Sequence, residues 1–113
     1  MADMGGDVGG QRVAEAVAGA VAVLRPAVER NWTAVKAAGM EWTAHETAFH
    51  ICGCLISYAA NLAGGAQDDY VPFDITLDEG TDNTGLLQVI EATGALLAAA
   101  VRTAPREARG FHP

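Results

Sequence analysis

An all-α helix bundle is the fold class this sequence predicts, and three observations lead to it. Twenty-three of the 113 residues are alanine and only seven are aromatic, so the core is built from small side chains. Small side chains suit closely packed helices better than sheets of β-branched strands. Apolar residues recur at three- and four-residue spacing in three separate stretches. Finally, Pro26, Gly64-Gly65 and Pro105 fall where such stretches bend or stop. The length supports one domain with a modest core.

The elements follow in order. Residues 1–10, with four glycines and little to bury, are expected to form a disordered lead-in, and residues 11–113 the helical domain. Val13, Val17, Val21, Leu24 and Val28 share one helical face, predicting a helix over about 11–30, broken or bent near Arg25 by Pro26. Residues 31–41, carrying Trp32 and Gly39, read as a connector with a short helical turn. Thr43-Ala44-His45-Glu46 fits a capping box, in which the threonine side chain and the glutamate side chain each satisfy the other's amide. The helix it opens runs to about Ala63, where Gly64-Gly65 ends it. Residues 66–81 are acidic and broken by Pro72 and Gly80. There Tyr70, Val71, Phe73, Ile75 and Leu77 form an extended stretch packed over the bundle, with room for a short strand that lacks an obvious partner. A third helix follows from about Asn83 to Ala104, with Leu86, Ile90, Leu97 and Val101 on one face, and Pro105 stops it.

Charge narrows the partners. Fourteen acidic residues stand against seven basic ones, for a formal charge of −7. One lysine and six scattered arginines make no stripe for phosphates, which argues against nucleic acid and against an anionic membrane surface. No 18-residue stretch is continuously apolar. The glycine-rich, acidic N-terminus does not read as a secretory signal. Cys52 and Cys54 point to roughly opposite sides of a helix and do not bridge each other there, so a reduced, cytoplasmic chain is expected. Both cysteines are expected to behave as small buried hydrophobes.

The second helix carries the only hint of chemistry. His50 shares a face with Glu46, Thr47, Cys54 and Ser57, and Asn61 lies one turn further on. The remaining positions are almost all apolar, so this polar stripe calls for a reason. It is either a solvent-facing stripe, a hydrogen-bonded core histidine, or an imidazole aimed into the bundle as a metal ligand. Spacing alone completes no metal site. His45 and His50 are five apart, about 140° around the axis, and Glu46 is engaged by its capping box. The Cys-x-Cys pair lacks a second pair, and His112 sits in the tail. The glycine pairs follow no strand, and no phosphate-binding, nucleophile-elbow or zinc-protease signature is present. Asp68-Asp69 and Asp78-Glu79 read as a solvated loop without the donor order of a calcium hand.

Trp32, then Glu41-Trp42-Thr43 opening a helix, then Glu46-Thr47-x-x-His50 resembles the start of the DinB-like superfamily. The nearest branch is the mycothiol-dependent maleylpyruvate isomerase N-terminal domain, whose helix start is followed seven residues later by a histidine, as Thr43 is by His50. The tail Arg109-Gly110-Phe111-His112-Pro113 also resembles that branch's approach to its last helix. The likeness covers most of residues 11–113 and implies three helices of an up-down four-helix bundle with a divalent metal, zinc first, held by three side chains. His50 matches the first ligand. The other two, a glutamate and a histidine, belong to a helix after the Phe-His-Pro segment, and this chain stops at Pro113. A truncated reading frame, a fragment, or a short member that completes itself as a homodimer would each account for that.

Two functional expectations result. By resemblance the chain is a metal-binding domain of bacterial thiol-dependent isomerases or transferases. His50 is then a ligand, mycothiol or another small thiol the co-substrate, and the metal the group that activates it. The alternative is a non-catalytic helical module that dimerises or binds a partner helix through an exposed groove.

Overall fold

The computed structural model describes residues 4–33, 43–105, 107, 108 and 110. Over these residues it is an all-helical bundle of α1 (Met4–Leu24), α2 (Ala44–Ala63) and α3 (Asn83–Thr103), with a 3-10 turn, Arg25–Ala27, closing α1. Gly39, Glu41, Trp42, Phe111, His112 and Pro113 lie outside the described residues, and with them part of the motif on which the family resemblance rests.

α1 begins at Met4, so residues 4–10 are helical and not the disordered lead-in expected of them. Their glycines serve packing. A Cβ added at Gly10 would stand 2.8 Å from the Ala98 carbonyl oxygen, and one at Gly9 would stand 2.9 Å from Val101 Cγ1. The first turns of α1 therefore lie almost backbone to backbone on the end of α3. Pro26 falls in the 3-10 turn, where a missing N–H and a fixed φ end the α-helix.

The turn that follows ties all three helices together. Trp32 is 6% exposed, and its indole N–H donates to the Ala27 carbonyl at 2.9 Å. The Trp32 carbonyl accepts from the His45 amide at the start of α2. The Asn83 side-chain amide donates to the Val28 and Arg30 carbonyls at 2.9 and 2.7 Å, which pins the start of α3 to the same place. Both starts are capped. Thr43 and Glu46 form the expected capping box, and the Asp82 carboxylate accepts from the Gly85 amide at 2.8 Å.

These ties fix the topology. α1 runs antiparallel to α3, from Gly10 beside Ala98 to Val28 beside Asn83. α2 and α3 start at the same end and run parallel. Parallel neighbours need a crossover, and residues 64–82 supply it by returning along α2. Gly64 caps α2 and Gly65 turns the chain away at φ +70°, a conformation open to glycine. The crossover contains no strand. The Tyr70, Ile75 and Phe73 amides are met locally instead, by Asp69, Asp74 and the Val71 carbonyl.

The core lies where α3 meets both other helices. Leu86, Leu87 and Ile90 pack against Val21 from α1, Ala48 and Cys52 from α2, and Trp32. Leu86, Leu87 and Cys52 are fully buried. By length and a mean hydropathy of 1.5, α3 is apolar enough to cross a membrane. It is also the helix both others pack on, and a central bundle helix has that same composition.

Candidate functional site

The parallel arrangement of α2 and α3 leaves the outer face of α2 beside its own crossover. Between them runs an open groove of about 850 Å³. One wall is the α2 face bearing His45, Glu46, Phe49, His50, Gly53, Cys54 and Ser57. The other is the stretch Tyr70–Asp74 with Thr76 and Leu77. Phe49 and Phe73 give the groove apolar surface, and the polar stripe of α2 gives it donors and acceptors.

One buried contact holds the second wall in place. Asn61 is fully buried, and its side-chain oxygen accepts from the Val71 amide at 2.9 Å. A polar side chain there would be costly without a partner. With one, it anchors an extended segment to a helix. The tail adds a further contact, since Gly110 lies so close to Leu62 that an added Cβ would stand 3.2 Å from its backbone nitrogen.

His50 is exposed on the groove side of α2. Its Nε2 stands 3.4 Å from Cys54 Sγ, one turn along. Cys54 is thus a partly buried groove residue and not the buried hydrophobe expected from sequence. Cys52 does go to the core, where desolvation pushes its thiol up to about 11 against smaller opposing hydrogen bonds from its own backbone and Thr93. Tyr58, four residues beyond Cys54, has its phenol raised by burial first and then by Cys54 and Tyr70 beside it.

The other sequence candidates sort clearly. Glu46 is engaged in its capping box, with its carboxylate accepting from the Thr43 amide at 3.3 Å. His45 lines the groove and is held through its backbone to Trp32. Asp68, Asp69, Asp78 and Glu79 are exposed. Among the described residues no group of three His, Cys, Asp or Glu side chains could hold an ion. An imidazole and a thiol within one turn are nonetheless donors of the kind that divalent zinc takes, so His50 and Cys54 fit part of a coordination sphere.

A second hollow, of about 450 Å³, lies between α1 and α3. Alanines, Val17, Val21 and Gly94 line it, and the exposed ion pair Arg25–Glu91 at 2.6 Å closes one end. The extended stretch over the bundle was expected from sequence, whereas its placement opposite His50 and Cys54 and the hollow between α1 and α3 were not, because each joins residues far apart in the chain.

No protein-family model, curated protein or solved structure matches this chain.

Proposed function

We propose that the chain is a metal-binding helical domain of the kind it resembles, the DinB-like and maleylpyruvate isomerase N-terminal domains, with His50 as a ligand and the α2 groove as the binding place of a small thiol. The observation that carries this reading is the position of His50, whose exposed imidazole stands on a rigid helix in a groove with apolar walls. Histidine is the commonest metal ligand among side chains, although this one is exposed on the outer face of α2 and not aimed into the bundle core. A divalent ion there would favour the thiolate form of a bound thiol.

Native mass spectrometry of the purified chain, before and after added zinc, tests the proposal. The expected result is a bound ion that is lost on His50→Ala. A chain that takes up no metal at any zinc concentration refutes it.

A second reading draws on a different surface. Val23 is 77% and Leu96 53% exposed, and the alanine-lined hollow between α1 and α3 has the small-residue character that lets another helix approach closely. A metal-free dimer, unaffected by His50→Ala, would favour this interaction module.

A further inference from the structure

We propose that Cys54 is a second metal ligand, so that the groove grips a borderline or soft divalent ion through an imidazole–thiolate pair. This rests on the reading of His50 as a ligand and adds what that reading lacks, a second donor and a metal preference.

The spacing supports it. His50 Nε2 and Cys54 Sγ are in hydrogen-bond contact, 3.4 Å apart. A tetrahedral zinc ion bonded to nitrogen at about 2.0–2.1 Å and to sulfur at about 2.3 Å separates the two ligand atoms by about 3.6 Å. The pair therefore already has the bite of two neighbouring tetrahedral ligands, within a few tenths of an ångström. Both side chains rise from one helix at i and i+4, so the backbone fixes their relation. Both line the groove, which leaves the ion's remaining positions open to a groove ligand, to water or to a second copy.

Sulfur also selects. A thiolate favours zinc and softer ions over magnesium and calcium, which take oxygen donors. The other thiol cannot substitute, because Cys52 is fully buried on the core side of α2. It serves as an internal control.

The experiment is a titration of the full chain with Co²⁺ and with Cd²⁺, following heat of binding and ultraviolet absorbance together. The wild-type chain is expected to bind both ions with a thiolate-to-metal charge-transfer band that saturates with binding and persists in excess Mg²⁺. Cys54→Ser should lose the band and bind Cd²⁺ at least about tenfold more weakly, since even outer-shell partners of a metal are worth about 10- to 100-fold. Cys52→Ala should keep the band, and Cys54→Ala stands in should the serine variant not fold. Binding without the band, or a band that survives the loss of Cys54, overturns this inference and leaves the His50 reading standing. Absence of binding by either ion overturns both.

Discussion

Gly94 offers the sharpest test of how this bundle is packed. It sits in the middle of α3 facing Val17 of α1. A Cβ at that position would stand 2.6 and 2.7 Å from the two methyls of Val17 and 3.1 Å from its Cβ. Ordinary carbon contacts lie at 3.5–4.0 Å, so alanine here demands a shift of about 1 Å. Turning Val17 gives no full escape, because its own Cβ is already too near and a β-branched side chain in a helix has one strongly preferred rotamer. The helices must separate instead, and overpacking of this kind costs about 1–3 kcal/mol. Alanine returns about 1 kcal/mol through its better helix propensity. The net expectation for Gly94→Ala is a loss of about 0–2 kcal/mol.

Gly19 supplies the matched control. It too is inside a helix, but an added Cβ there meets nothing within 4 Å. Gly19→Ala should therefore show the propensity term alone, a gain of up to about 1 kcal/mol. Urea denaturation of the two variants should differ by about 1–3 kcal/mol, and their melting temperatures by roughly 4–15 °C for a domain of this size. Adding Val17→Ala to Gly94→Ala should recover part of the loss as a favourable coupling term. A Gly94→Ala variant as stable as Gly19→Ala would refute the close α1–α3 contact.

Three further outcomes are expected. Thr43→Ala removes the side chain that accepts the Glu46 amide at 3.1 Å and should cost about 1 kcal/mol in urea denaturation. Asn61→Ala orphans the Val71 amide, so hydrogen exchange at Val71 should speed up well before the helices open, with a stability loss of about 1–3 kcal/mol. For Cys52 the native thiol holds its proton to about pH 11, against an ordinary value of 9.0. Over that window the native state binds the extra proton, so stability is complete below pH 9 and falls as pH rises toward 11, by at most about 3 kcal/mol. Cys52→Ala should flatten that slope, and an unchanged slope would place its origin elsewhere.

What the sequence made legible was local. The capping box, the glycine pair ending α2 and the proline stops each depend on a few adjacent residues, and each is where the pattern puts it. Gly9 and Gly10 misled because glycine signals disorder or close approach equally well, and only the presence of Val101 opposite Gly9 and of Ala98 and Arg102 opposite Gly10 decides. The Asn83 staple has acceptors 55 and 53 residues away, which no local pattern reveals. Of the site, the polar stripe around His50 was readable from helical spacing. The orientation of Cys54 toward a groove was not, because the groove exists only once the crossover lies down beside α2.

That crossover explains why a small bundle has a groove at all. Had α3 run antiparallel to α2, a short turn would have joined them and the outer face of α2 would have met solvent directly. The shared anchor at Trp32 and Asn83 puts both helix starts at one end, so the chain must travel back the length of α2. Its Asp69 and Asp74 carboxylates accept from the amides of Tyr70 and Ile75, the residues that follow them. Asn61 then fixes its path at Val71. One wall of the groove is thus a helix with its donors at fixed spacing, and the other an irregular segment anchored to that helix through Asn61. Such a wall can adjust to an occupant at little cost, while the imidazole and the thiol opposite stay in register.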